Sequence, residues 1–255
     1  MTLSETNLNT KSGRVKAFLI HLLLSVCIGV SVGVLFWFVL YPAPLFRAVG
    51  GLEIFLIVLA VDVTLGPFLT LLVYRKGKKG LVFDLAAIAL VQAAALTYGI
   101  VTLYVGRPVF VAALGHRFDV IQASEVNADD IRASGRSLPR FGPIWVGIRR
   151  PDSAKERSDM LFSSLAGADY GHKPQYHVDL AEMRSELLRE AKPIADLRTR
   201  DATRDGEIGA WLAVRGRTDD SVRYVGLKAR VEDMAVILDA KTAEVIGIAP
   251  FKPWD

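Results

Sequence analysis

The sequence predicts a membrane protein with three transmembrane α-helices followed by a periplasmic α+β domain that contains an antiparallel sheet. Two observations predict this fold class. Hydrophobic residues make up 51% of the 255 residues, and the mean hydropathy of +0.32 is high for a soluble domain. Residues 1–105 hold only 8 of the 31 basic and 4 of the 27 acidic side chains, so the whole net charge of +4 comes from this apolar part.

The first apolar segment, residues 17–40, follows a predicted cytoplasmic segment of residues 1–16. At ~1.5 Å per residue it is long enough to cross a hydrocarbon core of ~30 Å. A cleaved signal peptide is the alternative, but its apolar region usually has only ~7–15 residues. Lipidation at Cys27 is disfavoured because the bulky Val26 precedes it.

Two more apolar segments, residues 52–74 and 81–105, complete a three-helix domain of residues 17–105. The hairpin between them is short and basic, so the two helices are predicted to be antiparallel neighbours. Cations also flank the first segment, whereas residues 41–51 contain a single cation, Arg47. The positive-inside rule therefore predicts a cytoplasmic N-terminus and hairpin, with residues 106–255 in the periplasm. The aromatic residues predicted to anchor the outer membrane face are Trp37, Tyr41, Tyr98 and Tyr104.

Asp62 is a polar residue near the middle of the second apolar segment, where a carboxylate costs ~3 kcal/mol. Gln92 lies at a similar depth on the antiparallel third segment, so we predict an Asp62–Gln92 contact, with hydroxyls added by Thr64 and Thr97. Gly66-Pro67 permits a kink or the close approach of a neighbour. Two interpretations stay open: Asp62 stabilises the bundle, or it is a docking point for a partner's transmembrane helix. The predicted partner-binding set is Asp62, Gly66, Pro67, Glu53 and Gln92.

Two other ionisable residues of the apolar segments, His21 and Asp84, are predicted to be structural. Glu53 and Asp84 lie near helix ends and can reach headgroups or water. His21 lies at the same depth as Asp84, which predicts a hydrogen bond between them. Asp62 and Asp84 are ~13 Å apart along the helix axes, too far to share a proton as a catalytic dyad requires.

The periplasmic domain, residues 106–255, shows no catalytic constellation, no metal site and no cofactor motif in its sequence. His172 and His177 lie in a predicted surface loop, residues 168–178, a candidate contact region where solvated histidines are favoured over a metal site. The basic residues form no stripe interleaved with aromatics, so nucleic acid is not an expected partner. The predicted elements are a hairpin at 109–114 and 118–122, a helix from Asn127, a strand at 144–148, a helix capped by Ser153 and closed by Gly167, a helix from Asp179 to about Lys192, strands at 211–214, 224–229, 235–238 and 245–248, and a turn at 239–244.

Several motifs resemble the type IV pilin accessory proteins of the TfpX/TfpZ type, most strongly between Tyr41 and Phe118. They are Tyr41-Pro42-Ala43-Pro44-Leu45-Phe46, Gly50-Gly51-Leu52-Glu53, Val61-Asp62, Leu65-Gly66-Pro67, Phe83-Asp84-Leu85, Arg107-Pro108 and the ending Pro253-Trp254. Ala243 departs from the pattern, which has glycine there.

The resemblance implies a non-catalytic inner-membrane protein that assists or modulates type IV pilus biogenesis by acting on pilin. The implied partners are type IV pilin, other pilus-assembly membrane proteins and inner-membrane lipid. Two alternatives stay open. One is a membrane scaffold or sensor of the pilus machinery that does not contact pilin, and the other is a pilin-modifying enzyme.

Overall fold

The chain forms two units in a computed structural model, which describes residues 3–149, 153–154, 156, 158 and 169–254, without the side chains of residues 3–11. The helical unit contains residues 1–38 and 52–104, and the sheet unit contains residues 39–51 and 105–255. Residues 39–51, which connect two of the apolar helices, thus pack with the C-terminal part of the chain.

Three long helices form the helical unit, and some of their terminal residues belong to the sheet unit. Helix α1 (Leu3–Leu35) continues as a π-helical turn (Phe36–Leu40), and a single helical turn, α2 (Leu45–Ala48), precedes α3 (Gly51–Val73) and α4 (Leu81–Val105). The three long segments are long and apolar enough to span a membrane, at Ser12–Leu40, Gly51–Val73 and Leu81–Val105. The three predicted apolar helices are therefore confirmed as helices, with α1 beginning well before residue 17.

Glycines allow the neighbouring helices to approach α3 closely. A Cβ at Gly29 of α1 would lie 2.3 Å from Leu59, and one at Gly99 of α4 would lie 2.6 Å from Val58. Because lipid tails are as apolar as leucine, such close backbone approach is a main source of helix association in membranes. The α1 residues that recur every fourth position, and so share one face of the helix, are His21, Ser25, Gly29 and Gly33.

The sheet unit is built on one sheet of eight strands in the order β4-β3-β1-β2-β6-β7-β8, with β5 paired to β6. The strands are β1 (Pro108–Ala113), β2 (Arg117–Gln122), β3 (Ile144–Ile148), β4 (His177–Val178), β5 (Lys192–Pro193), β6 (Val222–Lys228), β7 (Met234–Asp239) and β8 (Val245–Ala249). Among the described residues of this unit, the α-helices are α5 (Ala128–Ser134), α6 (Arg184–Glu190), α7 (Ile194–Arg200) and α8 (Asp205–Ala213).

The sheet is mixed, so the predicted antiparallel sheet is wrong in part. Strand β1 pairs with β3 in parallel, and β2 pairs with β6 in parallel, whereas the other pairs are antiparallel. Parallel neighbours need long crossover connections, here the segments that carry α5 and α6 to α8. Alternating apolar residues indicate each strand but do not specify its neighbour.

Most of the predicted elements of the sheet unit are confirmed. The hairpin, the strand at 144–148 and the three last strands are present, and the side chain of Asn127 accepts the N–H of Asp129 to begin α5. Asp179 likewise accepts from Ala181, but the first turn it caps is a 3-10 helix, Leu180–Met183. Ser153 accepts the N–H of Glu156 at 3.1 Å, while the rest of that predicted helix and its end at Gly167 lie outside the described residues.

The predicted strand at 211–214 is wrong, because residues 211–213 belong to helix α8. Ile208 and Leu212 lie four positions apart on the buried face of α8, and Trp211 packs beside them. They cover β6 and β7 together with Ile194 and Leu197 of α7. A second core cluster lies around β1, β2 and β3, where Val109, Phe110, Ile121, Val146 and Tyr176 are buried.

The connection of residues 39–51 is anchored by buried aromatic rings. Tyr41 is 1% exposed and its ring centroid lies 5.0 Å from that of Phe46. Burial raises the pKa of Tyr41, while the charge of Arg107 acts in the opposite direction. The carbonyl of Ala48 accepts the N–H groups of Val231 and Glu232 at 2.9 and 3.2 Å. The prediction of Tyr41 as an interfacial anchor is therefore wrong, because its ring is enclosed by protein.

Candidate intramembrane polar site

A polar contact joins α3 and α4 midway along both helices. The side-chain amide of Gln92 donates to Oδ1 of Asp62 at 2.9 Å and also approaches the backbone carbonyl of Asp62 at 3.1 Å. This confirms the predicted Asp62–Gln92 contact. In an apolar surrounding, such an amide donor lowers the cost of the carboxyl group.

Gly66 provides the space in which the Gln92 side chain lies. A Cβ at Gly66 would lie 1.9 Å from Nε2 of Gln92, far inside van der Waals contact. The next residue, Pro67, lacks the N–H that would bond the carbonyl of Val63 in a regular helix. The predicted close approach at Gly66-Pro67 is therefore confirmed, and the approaching group is the same amide that bonds Asp62.

The hydroxyls predicted to join this contact bond elsewhere. Thr64 donates to the carbonyl of Ala60 at 2.6 Å, and Thr97 donates to that of Ala93 at 2.7 Å. Both are bonds from a side chain to the carbonyl four residues earlier in the same helix, which is the usual way to satisfy a hydroxyl in an apolar helix. The prediction that Thr64 and Thr97 add hydroxyls to the Asp62–Gln92 contact is wrong.

Asp62 also borders a small apolar hollow between α1, α3 and α4. The hollow measures about 10 Å³ and its other lining residues are apolar or glycine, among them Gly29, Phe55 and Leu96. Glu53, the remaining member of the predicted set, is exposed in the first turn of α3. The structure thus brings Asp62, Gly66 and Gln92 together, places Pro67 next to them and leaves Glu53 apart.

The predicted bond between His21 and Asp84 is wrong. Nδ1 of His21 lies 2.7 Å from the hydroxyl of Thr70, and Asp84 accepts from Nζ of Lys78 at 2.5 Å. His21 shares the face of α1 that packs against α3, whereas Asp84 lies in the first turn of α4 beside the basic hairpin. The equal depth of His21 and Asp84 along their helices does not determine in which direction around the helix each side chain points.

His177 is buried, which contradicts the expectation that this histidine is solvated in a surface loop. It is 4% exposed, its Nε2 lies 2.8 Å from the carbonyl of Gly171, and its ring packs edge-on against Phe110. Burial lowers the pKa of His177, and the charges of Arg136 and His172 act in the same direction. The described part of the chain contains no group of three or more His, Cys, Asp or Glu residues that could hold a metal ion.

The sheet unit contains a polar cavity of about 370 Å³ that was not predicted from the sequence. Arg117 bonds Asp119 with two hydrogen bonds of 2.7 and 3.0 Å and reaches Asp169 at 3.3 Å. The hydrogen bond to Asp119 is the main cause that raises the pKa of Arg117. The alternation of Arg117 and Asp119 on one strand face was the available signal, but Asp169 is remote in sequence.

The two units together define a class of protein: three apolar helices that fit a membrane protein, joined to a mixed-sheet unit. The family model described as Fimbrial assembly protein FimB matches residues 9–50. The family predicted from the motifs, the accessory proteins of type IV pili, is therefore supported, at modest identity.

Relatives from Dichelobacter nodosus extend this match beyond the first helix. The fimbrial assembly protein of serogroup I is 28% identical over 181 residues, 69% of this chain and 70% of the relative. That of serogroup E1 is 27% identical over the same shares, and that of serogroups C1 and C2 is 29% identical over 114 residues, 44% of this chain and 87% of the relative. No solved structure matches significantly.

Proposed function

We propose that this chain is a non-catalytic membrane protein that binds type IV pilin and thereby assists or modulates assembly of the pilus. The relatives named fimbrial assembly proteins support a role in pilus assembly. Two finer claims, that the chain binds pilin and that particular residues bind it, are inferred from the polar site of the helical unit and from the resemblance to pilin accessory proteins.

The incompletely bonded carboxyl group of Asp62 carries this proposal. Within the described residues, Gln92 is the only side chain that donates to it, although a carboxylate accepts about four hydrogen bonds. An acceptor left over in the middle of an apolar helix favours a donor from a second protein. Glu53 offers a second acidic contact near the start of α3.

The proposed location is the bacterial inner membrane, with a cytoplasmic N-terminus and a periplasmic sheet unit. The cations beside α1 and in the hairpin before α4 support this orientation by the positive-inside rule. In this orientation the helical unit meets the apolar helix of pilin in the bilayer. The sheet unit meets the globular part of pilin, and this double contact would act like a chaperone that prevents premature assembly.

Replacement of Asp62 tests the membrane contact. Recovery of pilin with the purified protein in detergent should fall about fivefold or more in Asp62→Leu, because a polar helix–helix contact is worth ~1–2 kcal/mol. Asp62→Asn keeps an oxygen for Gln92 and should reduce recovery less. Asp84→Asn is the matched control, since Asp84 bonds Lys78 within this chain. Equal recovery from Asp62→Leu and from the unaltered protein, at equal expression, contradicts the role of Asp62.

Crosslinking distinguishes the proposal from the two alternatives. A photoreactive residue placed in α3 near Asp62, and a second placed at the exposed Gln175, should each trap pilin if both parts of pilin are bound. A scaffold or sensor that does not contact pilin would trap it from neither position. A pilin-modifying enzyme would change the intact mass of pilin between strains with and without this chain, whereas a binding protein leaves that mass unchanged.

A further inference from the structure

A groove of about 560 Å³ lies on the helical unit, at the end that carries the basic hairpin. Helices α1, α3 and α4 all contribute to its wall. Its lining residues include Lys16, Ile20, Leu24, Tyr74, Leu85 and Ala89. His21 and Thr70 also line it, and Nδ1 of His21 lies 2.7 Å from the hydroxyl of Thr70.

The groove is cationic at one end and apolar along its length. Lys16 lies at the rim, is exposed and has no ion-pair partner among the described residues. Nε of Arg14 donates to the carbonyl of Tyr74 at 2.8 Å, which fixes α1 against the end of α3 and places a second cation there. Further along, Ile20, Leu24, Leu85 and Ala89 offer only hydrocarbon.

This arrangement matches the amphipathic character of a phospholipid. Basic pockets between transmembrane helices bind anionic headgroups, and each Lys or Arg near the surface contributes about 1 kcal/mol. The exposed cation Lys16 beside an apolar wall complements an anionic headgroup that carries hydrocarbon chains.

We propose that this groove binds one anionic phospholipid of the bilayer. Lys16 and the hydroxyl of Tyr74 contact the phosphate, and an acyl chain lies along Ile20, Leu24 and Ala89. The His21–Thr70 pair lies below the headgroup, where the polar ester groups of the lipid are found. This inference concerns a lipid ligand and does not depend on binding of pilin.

Native mass spectrometry of the full chain in detergent tests the headgroup contact. Phosphatidylglycerol should be retained about fivefold better than phosphatidylcholine with the same acyl chains, and Lys16→Gln should remove about that preference. Lys79→Gln is the matched control, because it removes the same charge from the hairpin but does not line the groove. Equal retention of both lipids, or an equal loss from Lys16→Gln and Lys79→Gln, overturns the proposal.

A second pair of variants tests the acyl-chain contact. Ala89→Leu fills the groove and should reduce retention of phosphatidylglycerol severalfold, whereas the exposed Ala87 lies about 200° around α4, so Ala87→Leu should leave it unchanged. Unaltered melting temperatures of both variants show that the bundle is intact. If Ala89→Leu reduces recovery of pilin and not retention of lipid, the groove belongs to a partner helix and the lipid proposal is wrong.

Discussion

His177 illustrates how one buried side chain makes stability depend on pH. Its ring lies against Phe110, and Nδ1 has no hydrogen-bond partner among the described residues. Protonation would place a charge in this apolar position, and for this reason burial lowers the pKa of His177 below its usual 6.5. The folded protein therefore holds this histidine neutral at a pH where the unfolded chain already binds a proton.

We predict that the free energy of unfolding of the sheet unit falls as the pH decreases below about 6.5. The unfolded state then binds more protons at this site than the folded state, which gives a slope of up to ~1.4 kcal/mol per pH unit. His177→Gln should flatten this dependence in urea unfolding followed by near-ultraviolet circular dichroism. His116→Gln, in the exposed turn between β1 and β2, should leave the dependence as it is. A pH dependence that is unchanged in His177→Gln would show that His177 is not its cause.

Helix packing shows what the sequence could and could not predict at the scale of elements. Length and composition indicated the three apolar helices, and counting residues from the hairpin placed Asp62 opposite Gln92. The same counting failed for His21 and Asp84, because depth along a helix does not give the direction of a side chain around it. The recurrence of His21, Ser25, Gly29 and Gly33 every fourth residue was the available signal that His21 faces α3.

The sheet unit shows the same limit for strands and short helices. Alternating residues indicated β6, β7 and β8, but the aromatic and branched residues of 211–214 suggested a strand where burial of Ile208 and Leu212 on one face requires a helix. At Gly226, a Cβ would lie 1.7 Å from the ring of Trp254, so the terminal Pro253-Trp254 motif packs over a central strand. Contacts between positions so far apart in sequence leave no local pattern.

The packing of α3 against α4 gives a prediction about Gly66. Gly66→Ala should lower the stability of the protein in detergent by about 1–3 kcal/mol, because the new methyl group displaces Gln92 and leaves Asp62 without its donor. Thermal unfolding measures this change. In a Gln92→Ala background the clash is gone, so the same substitution should cost much less. Equal costs in both backgrounds would show that Gly66 acts independently of Gln92.

At the scale of the whole molecule, residues 39–51 fold with the C-terminal part of the chain. They pack in the sheet unit, where the carbonyl of Ala48 accepts from Val231 and Glu232 and where Arg47 lies 3.4 Å from Glu232. The exposed ion pair contributes little, but the buried rings of Tyr41 and Phe46 require this connection to be folded with the C-terminal part. A chain with three membrane crossings meets this condition, since the segments after the first and third crossings lie on the same side.

The orientation is tested with single cysteines in a Cys27→Ser background, which removes the exposed native thiol. A membrane-impermeant maleimide added to spheroplasts should label Arg47→Cys and Lys252→Cys, which replace exposed residues of the sheet unit. Lys79→Cys, in the basic hairpin, should react only after the membrane is broken. Labelling of Lys79→Cys alone would reverse the orientation. Labelling of Arg47→Cys without Lys252→Cys would mean that residues 39–51 and the C-terminal part lie on different sides, which a common sheet unit does not allow.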